Sequence, residues 1–277
     1  MVNMNRLHIA KRAQIIGLMV EGMSIRAISR VTGASKNTIV KLLAEVGDAC
    51  SKYQDEALRG LKSKRLQLDE IWSFVGMKDK NVPAELKGTP GVGDTWTWTA
   101  IDADSKLIVS WMVGDRSATA ANLFLDDLAG RLANRVQITT DGLAVYVDAI
   151  AGAFNGQVDY AMLVKHYGDA PEGQKRYSPA ECIGIEKKKI LGNPDMAKVS
   201  TSYVERQNLT MRMSMRRFTR LTNGFSKKVE NHIHALSLYF MHYNFGRIHK
   251  TLRVTPAMEA GVSDHVWSLE EIAELAS

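Results

Sequence analysis

The sequence contains only two cysteines, six prolines and no long apolar run. Cys50 and Cys182 lie far apart and belong to no CxxC or Cys/His set, which excludes a zinc finger and indicates reduced thiols in a cytosolic protein. No apolar stretch approaches the ~18 residues that a membrane-spanning helix needs, so we expect no membrane partner. The first residues, MVNMNRLHIAKRAQ, have no apolar core followed by small residues, and we therefore expect no secretory signal.

Positive and negative charges are strongly segregated along the chain. Net charge is +7 over residues 1–65, −7 over residues 66–186 and +11 over residues 187–253. Solvated charged faces would explain any one of these segments, whereas their alternation favours a polyanionic partner such as DNA. An acidic segment between two basic ones would repel DNA unless its carboxylates were neutralised, and metal ions would do that.

The first part of the sequence predicts three helices. Ile9, Ile15, Ile16 and Met19 are spaced like one helix face, and Gly22 closes that helix. Ser24 is predicted to cap a short second helix that ends at Gly33. Ser35 is predicted to cap a third helix, whose apolar residues include Ile39, Leu42 and Leu43.

Two short helices joined by a tight glycine-containing turn are typical of a helix-turn-helix. Its second helix opens with polar side chains that can reach phosphates or base edges, and we assign them to DNA binding: Ser35, Lys36, Asn37, Thr38 and Lys41. Any small three-helix bundle would show the same pattern, but the basic balance of this segment favours DNA binding.

From residue 65 the periodicity becomes that of strands. RLQLDEIWSFV, TWTWTAID and KLIVSWMVG predict three antiparallel strands, followed by a helix, a strand RVQITT, a helix and a fifth strand VDYAMLVKHY. This order predicts a mixed five-stranded α/β sheet with flanking helices. Residues 168–199 are predicted as a loop insert with a small hairpin around CIGIEKKKIL, and two long helices follow it.

Three acidic residues stand where such a fold places its chemistry. Asp141 follows a buried strand, Asp69 interrupts the apolar first strand, and Glu205 lies in the first turn of the long helix TSYVERQNLTMRMSMRRFTRL. Each has an ordinary alternative: Asp141-Gly142 suits a simple turn, Glu205 has capping-box spacing from Ser202, and strand parity does not choose between Asp69 and its neighbour Glu70. Asp102 and Asp104 are expected to be turn residues.

Several short motifs in order resemble one enzyme family. LDEIW, TTDG, SYVERQNLTMR and HYNFGRIHKTLRVTPAMEAG are similar to segments of the prokaryotic insertion-sequence transposases of the DDE type, closest to the insertion sequence 1 family. The resemblance covers roughly residues 7–262, and it implies a ribonuclease H-like catalytic domain after the helix-turn-helix. We divide the chain into a helix-turn-helix domain (residues 1–47), a charged helical linker (48–64), a catalytic domain (65–250, with the insert 168–199) and a C-terminal tail (251–277).

The resemblance implies an Asp-Asp-Glu triad that holds two divalent metal ions, and by matching motifs the triad is Asp69, Asp141 and Glu205. Two Mg²⁺ ions suit phosphodiester cleavage, and Mn²⁺ is expected to substitute. Counting by three and four places Arg212 and Arg216 on one helical stripe with Glu205, and Arg206, Arg217 and Arg220 widen it. A helix with a carboxylate at one end and arginines along its length suits metal and DNA phosphates, and we assign all five arginines to DNA binding.

The sequence therefore predicts a DNA transposase that binds the terminal inverted repeats of its element, cuts them and joins the 3′-OH to target DNA. Its expected partner is double-stranded DNA, on which two ends must meet, so we expect at least a dimer in the prokaryotic cytoplasm without a small-molecule cofactor. Two alternatives stay open: a helix-turn-helix transcriptional regulator, and a nuclease of the same fold that cuts without joining.

Overall fold

A computed structural model describes residues 6–89, 91–168, 180–219 and 222–277. The described chain folds into a six-stranded mixed sheet with helices on both faces and an additional group of helices at the N-terminus. Among the described helices, none combines the length and the apolar character that crossing a bilayer requires.

The helices and strands follow in the order α1 (Ile9–Val20), α2 (Ile25–Thr32), α3 (Lys36–Ala57), β1 (Arg65–Val75), β2 (Gly93–Asp102), β3 (Ile108–Gly114), α4 (Ala118–Arg131), β4 (Val136–Thr140), α5 (Val145–Ala153), β5 (Val158–Tyr167), β6 (Cys182–Leu191), α6 (Ser202–Ser214), α7 (Val229–Met241), α8 (Pro256–Glu259) and α9 (Leu269–Glu274).

The three predicted N-terminal helices form with the predicted caps. The hydroxyl of Ser24 accepts a hydrogen bond from the amide of Ala27, and that of Ser35 accepts one from the amide of Thr38. Gly33 ends α2 with a φ of 73°, a left-handed conformation that glycine adopts without steric cost. The turn between α2 and α3 is thus built from glycine and serine, as the sequence indicates.

The strand order is β3-β2-β1-β4-β5-β6, with β4 parallel to β1 and β5, and the other neighbours antiparallel. Trp98 of β2 packs against Phe124 of α4 and Tyr146 of α5 on one face. On the other face, Ile71 of β1 belongs to an apolar cluster with residues of α6 and α7. This layering covers the centre of the sheet on both sides.

The prediction of five strands is wrong, because the described sheet has six. Residues of CIGIEKKKIL form one continuous strand, β6, paired along β5, and not a hairpin. β6 lies at the edge of the sheet and is mostly exposed, with three consecutive lysines at positions 187–189. Lysine-rich edge strands resist pairing with other chains but lack the apolar alternation from which a strand is predicted.

The helix that carries Glu205 is shorter than predicted. α6 ends at Ser214, because Met215 adopts an extended conformation with φ −132° and ψ 108°. Arg216 and Arg217 consequently lie in a separate 3-10 turn and do not continue the helical stripe of Glu205.

Helix α3 continues through residue 47, where the sequence predicts a domain boundary, and packs along α7. The hydroxyl of Ser237 donates to the carbonyl of Gly47 at 2.7 Å, and the Gln54 amide donates to the carbonyl of Ser237 at 3.1 Å. A Cβ atom at Gly47 would come within 2.5–2.7 Å of His234, including its backbone. The N-terminal helices are therefore docked on the sheet domain through a close helix crossing.

The chain terminus joins the same helical group. Helix α9 packs against α1, and the Arg12 guanidinium donates to the carbonyl of Ala276 and to the hydroxyl of Ser277. The last part of the predicted tail, residues 269–277, thus covers the first helix.

Substituting Gly47 by alanine should destabilise the protein. The added methyl group cannot be accommodated without separating α3 from α7, which we expect to cost about 1–3 kcal/mol, reduced by the ~1 kcal/mol gain in helix propensity. Urea unfolding measures the change. Gly152→Ala in α5 is the control, since a Cβ there meets nothing within 4 Å and should be neutral or stabilising. Equal unfolding midpoints for the two variants would contradict this packing.

Candidate active site

The pairing of β1 with β4 brings two distant acids to the same level of the sheet. Gln67 of β1 is paired with Thr139 of β4 in parallel register, so Asp69 and Asp141, each two residues further on, stand side by side. β1 continues to Val75 whereas β4 ends at Thr140, so the sheet is open beyond the C-terminal end of β4. We call this place, with Asp69, Glu70 and Asp141, the acidic edge. One carboxylate oxygen from each of Asp69, Glu70 and Asp141 lies within 4.8 Å of the others.

Glu70 points to the face of the sheet that carries α5. Its Oε1 accepts hydrogen bonds from Arg116 Nε at 2.8 Å and Nη2 at 2.6 Å, and its Oε2 accepts one from the hydroxyl of Tyr146 at 2.9 Å. Its side chain is only 1% exposed. Burial and then the charge of Asp141 raise the pKa of Glu70, while Arg116 and Tyr146 oppose that rise. Arg116 also lies over the ring of Trp96.

Asp69 points to the opposite face, toward α6. Its Oδ1 accepts from the backbone amide of Glu70 and its Oδ2 accepts from the side-chain amide of Asn208, both at 2.8 Å. Burial is the main reason that the pKa of Asp69 rises to about 7, followed by the charges of Glu70 and Asp141. Asp69 therefore has no cationic partner in these hydrogen bonds, in contrast to Glu70.

Asp141 begins the turn that follows β4. Its Oδ1 accepts from the amide of Leu143 at 3.0 Å, an Asx-type arrangement that fixes the carboxylate at the strand end. A Cβ on Gly142 would lie 3.4 Å from Val164, so the turn passes close to β5. Asp141 is thus both a turn residue and a neighbour of Asp69, and the two interpretations of this residue are compatible.

Glu205 is placed near this group by Gln67. The side-chain oxygen of Gln67 accepts from the amides of Tyr203 and Val204 at 2.8 and 3.1 Å, which anchors the N-terminus of α6 on β1. Glu205 Oε1 accepts from Lys165 Nζ at 2.5 Å and from the hydroxyl of Thr201 at 2.6 Å. Among the described residues, Glu205 is outside the group of three acids within 4.8 Å, although its charge contributes to the raised pKa of Asp69.

The donor set of this edge fits a hard divalent cation. The three clustered residues offer carboxylate oxygens only, the ligands that Mg²⁺ and Mn²⁺ prefer. Asp69 and Asp141 accept hydrogen bonds from neutral amides only, and a cation between them would remove their mutual repulsion. Asp102, by contrast, accepts from two amides of the β2–β3 turn and is a turn residue, as predicted.

The residues predicted to bind DNA fall into two places. The opening residues of α3, Ser35, Lys36, Asn37 and Lys41, are exposed, and Thr38 is half-buried. Ser35 already caps α3, so its hydroxyl serves the helix.

The basic residues in and directly after α6, which are also predicted to bind DNA, differ in orientation. Arg206 on α6 and Arg216 after it are exposed, and Arg212 is half-buried. Arg217 turns inward and donates to the hydroxyl of Ser226 and the carbonyl of Asn231. Burial lowers its pKa to about 10. Arg220 lies outside the described residues.

Sequence reasoning missed the residues that hold the acids in place. Arg116 and Tyr146 bind Glu70, Gln67 anchors α6, and Lys165 pairs with Glu205. Gln67 carried one signal, a polar side chain two residues before Asp69 in an apolar strand. The others lie far from their partners in the chain and leave no local pattern.

The raised pKa of Asp69 predicts a pH-dependent effect of Asp69→Asn on the metal-free protein. Between the ordinary value of 3.8 and about 7, the unfolded chain releases a proton that the folded chain retains, so wild-type stability falls as pH rises through this range. The asparagine variant lacks this loss and should be more stable than wild type at pH 8, by up to about 4 kcal/mol, but not at pH 4. Urea unfolding in a chelator at both pH values checks this, and an equal difference at both would contradict it.

Comparisons with known proteins add a loose structural likeness. No protein-family model matches the chain, and no curated protein matches it. Among solved structures, it is similar to the cryo-EM structure of the piggyBac transposase synaptic complex with hairpin DNA, at 12% identity and a TM-score of 0.45, over 97% of this chain and 69% of that one. It is also similar to the Mos1 transposase paired-end complex with left transposon end, at 12% identity and a TM-score of 0.24, over 56% of this chain and 59% of that one. A third similar structure is the Mos1 Strand Transfer Complex, at 12% identity and a TM-score of 0.25, over 84% of this chain and 77% of that one. These neighbours are complexes of the piggyBac and Mos1 transposases.

Proposed function

We propose that the chain is a DNA transposase of the DDE type, from a prokaryotic insertion sequence, with a ribonuclease H-like catalytic domain. The observation that carries the proposal is the meeting of Asp69 and Asp141, 72 positions apart in the sequence, at one open edge of a mixed sheet. Together with Glu70 they concentrate negative charge, which destabilises the fold unless a cation binds there. The ordered sequence motifs around these acids and Glu205 support the transposase family in particular.

In the proposed site, Asp69, Asp141 and Glu205 hold divalent metal ions, Mg²⁺ or Mn²⁺. Bound metal would activate an oxygen nucleophile and stabilise the leaving oxygen of a phosphodiester. The chain's own residues prepare the ligands: Asn208 orients Asp69, and the turn at Leu143 orients Asp141. Arg116 balances the charge of Glu70 and Tyr146 donates a hydrogen bond to it, so that this acid supports the site without needing a metal.

The proposed DNA contacts are the exposed opening of α3, for the ends of the element, and the basic residues in and after α6, for phosphates near the active site. Of the latter, Arg206 and Arg216 are exposed and suit the role, whereas the inward hydrogen bonds of Arg217 favour a structural role. Since transposition joins two ends, we propose that at least two copies act together on DNA.

A transcriptional regulator would share the N-terminal helices but would have no use for the acidic edge. A nuclease that cuts without joining would use the same acids and differs only in the fate of the 3′-OH. Nicked and joined products must therefore be measured separately.

Purified protein with Mg²⁺ or Mn²⁺ should nick and join DNA that carries the inverted repeats flanking its reading frame. Asp69→Asn, Asp141→Asn and Glu205→Gln should each lower the rates of nicking and joining by at least about 10³-fold. Each variant would lose a ligand of the metal ions, whose positive charge would stabilise the transition state. End-labelled DNA on denaturing gels resolves the nicked and joined products.

Asp126→Asn on the exposed surface of α4 is the matched control and should keep full activity. Undiminished strand transfer by any one of the three variants would remove that residue from the catalytic set. Nicking by the wild type without joined product would favour the nuclease, and DNA binding without either reaction would favour the regulator.

The proposed role of α3 predicts a separable binding defect. Replacing Lys36 and Lys41 by alanine should weaken binding to element ends and reduce the steepness of its salt dependence, since each phosphate contact releases about one counterion. The variant should still bind metal, because α3 does not contribute to the acidic edge. Fluorescence anisotropy at several salt concentrations measures this, and an unchanged salt slope would contradict the assignment.

A further inference from the structure

Lys165 lies on the part of β5 that extends beyond β4. Pairing of the two strands ends with Thr140 opposite Met162, so Lys165 is three residues further along, on the side where Asp141 follows Thr140. There β5 continues as a two-stranded ribbon with β6, in which Lys165 is paired with Ile185. The ribbon thus places a lysine beside the candidate active site.

Lys165 forms an ion pair with Glu205. Its Nζ lies 2.5 Å from Oε1 of Glu205, the same oxygen that accepts the Thr201 hydroxyl. The side chains of Lys165 and Glu205 are 27% and 41% exposed, so solvent and ions can reach the pair. Within the described part of the chain, the cluster of Asp69, Glu70 and Asp141 does not include Glu205. The acid that the family motif assigns to metal binding is therefore held by an ammonium group.

A metal ion and this ammonium group compete for the same carboxylate. A divalent cation bound to Glu205 would lie within a few ångströms of Lys165 Nζ, and the two positive charges would repel each other. Of the carboxylates in the described residues, Glu205 is the one within ion-pair distance of Lys165. When Glu205 turns to a metal, Lys165 consequently needs a new anion, and a phosphate of DNA bound at the acidic edge would supply it.

We propose that Lys165 is a DNA phosphate-binding residue that exchanges partners, pairing with Glu205 in the free protein and with the DNA backbone once Glu205 binds metal. The proposal rests on the function proposed above. It makes DNA and metal binding cooperative, since each ligand favours the state in which the ion pair is open, and the coupling must be reciprocal. The free protein would then hold its metal weakly until DNA arrives.

A lysine on the neighbouring strand β6 provides a matched control. Lys188 forms an ion pair with Glu186 of β6 at 3.2 Å, and its side chain is 48% exposed. Lys188→Met therefore removes the same charge from the adjacent strand as Lys165→Met removes from β5, without freeing a predicted metal ligand.

The test is titration of the full-length, metal-free protein with Mn²⁺ by calorimetry, with and without an excess of a mixed-sequence DNA duplex. Without DNA, Lys165→Met should bind Mn²⁺ about two- to fivefold more tightly than wild type, the gain expected from removing a partly exposed ion pair. Lys188→Met should match wild type. Adding the duplex should tighten Mn²⁺ binding of wild type and Lys188→Met by a larger factor than that of Lys165→Met.

Two further variants keep the outcome readable. Lys165→Arg preserves the ion pair and should behave like wild type, and the double variant Lys165→Met with Glu205→Gln should show no gain over Glu205→Gln alone. Thermal melts establish that each variant is folded. Unchanged or weaker Mn²⁺ binding by Lys165→Met, or an undiminished effect of DNA on it, overturns the proposal.

Failure of this proposal is distinguishable from failure of the proposed function. A wild type that couples Mn²⁺ and DNA binding through Lys165 but never cuts DNA would contradict the transposase and not the exchange. Metal-dependent cutting and joining with no change in Mn²⁺ affinity in Lys165→Met would contradict the exchange alone.

Discussion

Electrostatic repulsion among three clustered carboxylates is the interaction that the rest of the structure has to accommodate. When both are ionised, two carboxylates 4.8 Å apart repel by about 3–4 kcal/mol at the effective dielectric constant of a protein near its surface, and oxygens of Asp69, Glu70 and Asp141 all lie within that distance of one another. This is comparable with a large part of the net stability of a folded domain. The fold therefore supplies compensation, most of it from residues outside β1 and β4.

The compensation is divided unequally, and the division has a chemical meaning. Glu70 receives a guanidinium group and a phenol hydroxyl in a buried position, an arrangement that leaves it little capacity to bind anything else. Asp69 and Asp141 receive amide hydrogen bonds only, which orient their oxygens but do not cancel their charges. Adjacent residues of one strand thus acquire different roles because they face different layers of the domain. The side facing α6 is the one left for a cation.

The main strands and the position of the acids could be predicted from sequence because their signals are local. β1 and β5 have the predicted limits, since alternation and β-branched residues mark both, and the caps at Ser24 and Ser35 follow from backbone chemistry. β6 was missed as a strand because its lysines mask the alternation.

Long-range contacts explain what local patterns could not give. Parity could not choose between Asp69 and Glu70, because the choice is made by Asn208 and Arg116, which are remote in the chain. The break after Ser214 was missed because no glycine or proline marks it, and the pair between Lys165 and Glu205 is a contact across two elements. Sequence motifs thus pointed to Asp69 and Asp141, which the fold brings together, whereas the contacts of Glu70 and Glu205 depend on tertiary packing.

The docking of α3 on α7 bears on how the proposed functions of the two parts are related. A flexible linker between a DNA-reading unit and a catalytic sheet would let the two sample many separations. Here α3 runs without interruption from its exposed opening at Lys36 to the crossing at Gly47, where it is held by Ser237. α7 in turn packs with α6 against β1, beside Asp69. If α3 reads an element end, the distance from that end to the acidic edge is set by a continuous helix and two packed helix layers, so the position of the cut is fixed by packing.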